Sequence, residues 1–199
     1  MKYYYNIEQG TEEWHKIRLG KFTASNFSTL FMKKTTKGYQ NLINQIVYER
    51  LTNEIPESFS NGWMERGLEL EPAAIENYEL ETFNKVHPVG FVELNPWIGA
   101  SPDGLIGTDG QVQIKCPKYS TLIEYLLNDK IPNEYYIQMQ GELMVTERKW
   151  NDFYVYHPNL KPLLIRVHPD LEMFQAINKE LIEAISEVQK RIERLNHGI

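Results

Sequence analysis

Cysteine is almost missing from this chain. Cys116 is the one copy among 199 residues, so no intrachain disulfide framework can form, and the composition suits a reducing cytoplasm. No histidine arrangement in the sequence would activate that thiol, which reads as a small inert residue rather than a nucleophile. No apolar run approaches the length of a membrane span, and Met1-Lys2-Tyr3-Tyr4-Tyr5 is not a signal peptide. There is no internal repeat, no low-complexity tract and no sharp shift in composition, so the expectation is one domain over residues 1–199. A glycine-rich loop that would cradle a nucleotide is also absent, which counts against a metabolic phosphatase. Positive charge is not in excess: 21 basic residues face 27 acidic ones, a net charge of -6. That argues weakly against non-specific DNA coating but leaves room for acidic residues gathered around metal beside a local basic patch. What remains is 42% hydrophobic and 24% charged, the balance of a globular chain with a sizeable core.

The chain alternates helical and strand-like stretches. Thr11 is placed to cap a short helix through Trp14, Ile17 and Arg18, ending near Gly20. Thr23-Ala24-Ser25 opens a second through Phe31, and Leu42, Ile43, Ile46, Val47 and Leu51 recur at helical spacing. Ser60 or Asn61 can cap the helix that carries Glu71, and Pro72 is a candidate break in it. Strand character runs from Val86 to Leu94. Two helices follow Pro117, the second starting at Pro132, and residues 153–156 and 163–167 form a hairpin. From Asp170 to about Asn196 apolar residues recur every three or four positions, with Gly198 as a suitable C-terminal residue. The fold class expected is α/β (α+β), a central mixed sheet flanked by helices.

The chemistry concentrates in Ile98 to Pro117, read as an apolar segment, a turn carrying Asp103, a strand, an Asp109-Gly110 hairpin turn and a second strand. In that second strand Val112 and Ile114 face one side, while Gln111, Gln113 and Lys115 share the other. A turn aspartate can hold a divalent cation and a lysine opposite can position water, a pairing suited to cutting phosphodiesters. Position 113 would then be expected to carry a carboxylate. Glu71 is a second candidate ligand, with Glu76, Glu79 and Glu81 competing on composition alone. Arg18 and Ser25 beside a helix start could hold a phosphate, although a surface arginine and a capping serine are the plainer readings. Lys33, Lys34 and Lys37 form a basic loop that could touch a DNA backbone or simply be solvated. Gln138 and Gln140 are two apart on one helix, so only one of them can readily face the site.

Trp14 to Gly20, Thr23-Ala24-Ser25, Gly67 to Glu71, Ser101-Pro102-Asp103-Gly104, Ile114-Lys115-Cys116-Pro117 and the helix around Gln138 and Gln140 occur in this order. Together they resemble the phage lambda exonuclease and YqaJ-type viral recombinase family, within the restriction-endonuclease-like nuclease fold. The resemblance implies that Asp103 is the central metal-binding aspartate, that Glu71 reaches in from the preceding helix, and that the Ile114 carbonyl is a further ligand. It implies that Lys115 positions the water, that Gln140 lies near the metal and the scissile phosphate, and that Arg18 with Ser25 anchors a terminal 5′ phosphate. It further implies two Mg2+ or Mn2+ ions and 5′-to-3′ digestion of linear double-stranded DNA by a homotrimeric ring. The N-terminal helices would make the DNA-end contacts, and the 3′ strand would pass to a phage annealing protein in the bacterial cytoplasm.

One residue departs from the pattern. The family strand reads Glu-x-Lys, and this chain has Gln113. An amide keeps the shape and one neutral oxygen but supplies no charge and no second metal-binding oxygen. The expectation is a weakened or inactivated form, as an introduced isosteric substitution or a natural variant. The alternatives are a catalytically dead DNA-end-binding scaffold, or a different endonuclease or single-strand nuclease of the same fold.

Overall fold

The structure, a computed structural model, describes residues 1–55 and 62–197, and over 62–68 the backbone only. The expected caps at Ser60 and Asn61 and the terminal Gly198 lie outside the described residues. Nine strands divide between two sheets among the described residues. The larger is mixed: β3 (Val86–His87), β6 (Gly104–Ile106), β7 (Gly110–Lys115), β8 (Trp150–His157) and β9 (Leu160–Val167) lie side by side in that order. The smaller, not foreseen from the sequence, has β1 (Lys2–Tyr4), β4 (Phe91–Asn95), β5 (Ile98–Ala100) and β2 (Phe22–Thr23) in the order β1-β4-β5-β2.

Topology follows from the connections. Gly107-Thr108-Asp109 is a tight turn with Gly107 at φ +50°, so β6 and β7 pair antiparallel, Gly104 opposite Val112. Gly110 at its end is required for space: a Cβ there would strike the Trp150 indole on β8. β7 and β8 pair in parallel, Gln113 beside Phe153, which demands a long crossover. That crossover is α5 (Tyr119–Asn128) and α6 (Asn133–Thr146). Gly141 lets α6 settle closely, because a Cβ there would meet the Phe27 ring. The expected helix from Thr23 to Phe31 is instead a 3-10 turn, Ala24–Asn26, followed by α2 (Phe27–Leu30). Thr23 and Asn26 close a capping box that sets this tighter start.

Alternation along β7 sorts its side chains as expected. Val112 and Ile114 pack with Ala74, Tyr78 and Tyr154 under α4 (Gly62–Thr82), and Gln111 and Gln113 turn to the opposite side. Pro72 does not break α4, which runs through it. Proline removes one backbone hydrogen bond and costs about 3 kcal/mol in a helix interior, so packing must hold the two halves in line. Ala74 and Tyr78 are fully buried beyond the proline, and the Tyr78 hydroxyl donates to Asp152 Oδ2 at 2.6 Å. Asp152 is buried on β8 and also takes a two-pronged contact from Arg166 of β9, at 2.7 and 2.9 Å. A larger apolar cluster joins the smaller sheet to α2, α3 (Lys37–Thr52) and α7 (Leu171–His197). Asp170 caps α7, its Oδ1 accepting the amides of Glu172 and Met173. No helix among the described residues is long and apolar enough to cross a membrane.

Candidate active site

The bend between β5 and β6 brings Asp103 against the end of β7. Its Oδ2 accepts the backbone N–H of Ile114 at 2.6 Å and a short hydrogen bond from Gln113 Nε2. Asp103 has no proton to give when ionised, so the amide of Gln113 must present its nitrogen there and its oxygen elsewhere. That oxygen, Oε1, accepts from Gln138 Nε2 of α6 at 2.7 Å. Glu71 of α4 stands close enough to Asp103 and Lys115 for both charges to act on it. Lys115 closes β7 with its ammonium 5.0 Å from the Tyr135 ring centre. Asp103, Gln113, Lys115, Glu71 and the Ile114 backbone are therefore one constellation.

Gln140, expected near the metal and the scissile phosphate, does not join this centre. It points away from this centre, its Nε2 donating to the His168 carbonyl and its Oε1 accepting the Asp170 amide, both near 2.9 Å. It ties α6 to the start of α7. Gln138, two positions earlier and so on another helical face, is the glutamine that meets the site. Its Nε2 also donates to Glu142 Oε1 at 2.9 Å, and Glu142 Oε2 accepts from Asn151 Nδ2 at 2.9 Å. Glu142, 1% exposed, was not singled out from the sequence. Its i,i+4 relation to Gln138 is the signal that would have found it.

Charge is crowded here. Burial and then Asp103 push the Glu71 carboxyl up to about 7, with Lys115 opposing. Burial first, then Asp103, pushes Glu142 up to about 8. Burial also raises Asp103, against Lys115 and the Ile114 amide. Both glutamates start from an ordinary value of 4.5, so the folded chain keeps protons that the unfolded chain has already lost. Stability without metal should thus be highest at low pH on their account and fall as pH rises from about 4.5 to about 8. Thermal melts in EDTA across that range check this. The expected result is a declining Tm, shallower in Glu142→Gln, and a flat profile identical in the two proteins contradicts it.

A second cluster adjoins the first. Arg18 ends α1 (Glu12–Arg18) and lies flat on Trp14, its guanidinium 3.8 Å from the ring centre. Nη1 donates to Ser101 Oγ at 2.8 Å and Nη2 to Thr23 Oγ1 at 3.3 Å. Trp14 Nε1 donates to the same Ser101 oxygen at 3.0 Å, and Thr23 Oγ1 lies 3.1 Å from Ser25 Oγ. Burial lowers Arg18 to about 10, with Glu49 working the other way, so it stays charged at neutral pH. The group borders a cleft of about 330 Å³. Ser101, Thr23 and Trp14 were not assigned roles from the sequence, although Ser101 stands two residues before Asp103. Of the loop lysines, Lys34 is bound to Glu183 of α7, while Lys33 and Lys37 are exposed.

Among the described residues no three His, Cys, Asp or Glu side chains stand together closely enough to hold a metal ion. Asp103 and Glu71 offer two carboxylates and the Ile114 carbonyl a neutral oxygen, while the Gln113 oxygen is turned to Gln138. Hard oxygen donors of this kind fit Mg2+ or Mn2+. The deficit against three carboxylates lies at Gln113.

The family model of the YqaJ-like viral recombinase domain matches residues 13–149. No curated protein matches the chain. Among solved structures, the alkaline exonuclease LHK-Exo of Laribacter hongkongensis is 35% identical, with a TM-score of 0.87 over 94% of this chain and 97% of that one. LHK-Exo in complex with dAMP gives 36% identity and a TM-score of 0.88 over the same shares. A phage-related exonuclease of Haemophilus somnus 129PT, 14% identical, shares the fold with a TM-score of 0.69 over 91% of this chain and 99% of that one.

Proposed function

Because the chain belongs to the YqaJ-like viral recombinase family, we propose that it is a metal-dependent nuclease that enters linear double-stranded DNA at a 5′-phosphorylated end and digests 5′ to 3′. The observation that carries this is the tripeptide Ser101-Pro102-Asp103. It joins the Arg18 cluster to the carboxylate centre within two residues, so a phosphate held at one places the neighbouring phosphodiester beside the other. The exonuclease neighbours, one of them solved with dAMP, support the same class of reaction.

Asp103, Glu71 and the Ile114 carbonyl would hold Mg2+ or Mn2+, and Gln113 would add a weak neutral donor for a second ion only by turning its oxygen from Gln138 to the metal. Bound there, the metal would polarise the phosphate and acidify water. Lys115 orients the attacking water and offsets negative charge on the phosphate. Arg18 has N–H donors left after serving Ser101 and Thr23, and the Ser101 hydroxyl still has its proton to give, because its oxygen only accepts here. Exposed Lys33 and Lys37 meet the DNA backbone, and Lys34 does so only by leaving Glu183. A ring of three copies and delivery of the 3′ strand to an annealing protein complete the reading. With Gln113 in place, cutting is slow.

Incubating the protein with Mg2+, a linear duplex and a covalently closed circle tests this. The linear duplex alone should be consumed. Equal loss of the circle overturns end-directed digestion. Binding to ends with no cutting, unaltered by Gln113→Glu, favours the scaffold alternative.

A further inference from the structure

Glu142 is a buried carboxyl that the mechanism above does not use. Among the described residues it forms no ion pair, and both of its oxygens accept amide N–H groups, from Gln138 and Asn151. Two amide donors on its oxygens suit the anion that forms once a cation is present, whereas the acid favoured without metal would need Asn151 to turn its unpartnered Oδ1 towards it. An anion buried to this degree is costly unless something positive answers it.

The network says what answers it. Gln138 Nε2 donates at once to Gln113 Oε1 at 2.7 Å and to Glu142 Oε1 at 2.9 Å, so one nitrogen separates the two oxygens. Gln113 in turn donates to Asp103. The uncharged side chain on β7 and the charged one on α6 are thus neighbours across a single amide. Lys115 is a cation that acts on Asp103, Glu71 and Glu142 alike. When all three carboxylates are ionised, they and the one ammonium sum to two negative charges, the complement of one divalent cation.

We propose that Glu142 supplies from helix α6 the negative charge that position 113 lacks, so that the centre attracts its divalent cation with Asp103, Glu71 and Glu142 as its three charges. This rests on the metal-dependent reading above and deepens it. Glu142 is a positioning residue: it acts through Gln138 and through its field, while Asp103 and Glu71 make the contacts. A cation in the centre offsets the burial and the repulsion from Asp103 that disfavour the Glu142 anion. A merely structural Glu142, pinning α6 to β8 through Asn151, has no need of charge, and glutamine would serve as well.

The test is calorimetric titration of Mn2+ into the full chain, Glu142→Gln, Gln113→Glu and the double variant, with thermal melts of each in EDTA. Glu142→Gln should bind Mn2+ about 10-fold or more weakly, the scale of lost outer groups at metal centres, yet melt in EDTA no lower than the parent. Gln113→Glu should bind more tightly but melt lower in EDTA, with two acids then sharing Gln138. The double variant, with its charge moved back to the strand, should keep the tight binding and regain the lost melting temperature. Unchanged Mn2+ affinity in Glu142→Gln overturns the proposal and leaves the nuclease reading standing. So does a parent that binds no Mn2+ while the double variant does. No Mn2+ binding by any of the four proteins defeats the metal-dependent reading itself.

Discussion

Replacing Gln113 by glutamate should raise Mg2+-dependent digestion of a linear duplex by on the order of 10²-fold, the scale set by restoring a preorganised charge in a catalytic centre. The amide now spans Asp103 and Gln138, giving its nitrogen to one and its oxygen to the other. A carboxylate there cannot donate to Asp103, so the short hydrogen bond is exchanged for repulsion between two acids unless a cation stands between them. The same change should therefore lower stability in EDTA by roughly 1–3 kcal/mol, the cost of leaving buried polar groups unanswered, and Mg2+ should restore it. Paired melts with and without Mg2+ and initial digestion rates check both halves. A Gln113→Glu protein that digests no faster shows that the charge at 113 does not limit the reaction.

Replacing Arg18 by lysine should remove the preference for a phosphorylated end. The guanidinium is held by Trp14 beneath it and by Ser101 and Thr23 at its two terminal nitrogens. Those contacts fix the plane of a fork that can meet two phosphate oxygens together, and an ammonium reproduces neither the plane nor the fork. The parent should digest 5′-phosphate ends faster than 5′-hydroxyl ends. Arg18→Lys should slow the former by about 10- to 100-fold, the loss of one or two charge-assisted hydrogen bonds, and leave the latter nearly unchanged. The ratio of the two rates is the measurement. An equal fall on both ends would make Arg18 a packing residue of α1.

The parts of this centre written into adjacent residues were legible in the sequence. The turn carrying Asp103, the hairpin turn expected at Asp109-Gly110 and found one step earlier at residues 107–109, and the two-residue period of β7 are local signals, and they place Asp103, Gln113 and Lys115 together before any packing is known. The choice between Gln138 and Gln140 was not legible. It depends on how far α6 is rotated, which Gly141 against Phe27 and the anchor from Gln140 to the start of α7 decide, and both involve distant chain. Glu142 stayed hidden for the same reason, since one acid among 27 gains meaning only when Gln138 and Asn151 close on it. The smaller sheet escaped because β2 has two residues, too few for any periodicity. Pro72 misled in the other direction: propensity argues for a break, and the buried face of Ala74 and Tyr78 outweighs it.

A label at the 5′ end of a linear duplex, followed in Gln113→Glu and in the double variant Gln113→Glu, Asp103→Asn, shows directly whether this centre cuts DNA. Labelled mononucleotide should leave the 5′ end only with Mg2+ or Mn2+ and only in the protein that keeps Asp103. Release that survives Asp103→Asn, or that proceeds in EDTA, would mean that the Asp103, Glu71 and Lys115 centre is not where this chain cuts DNA.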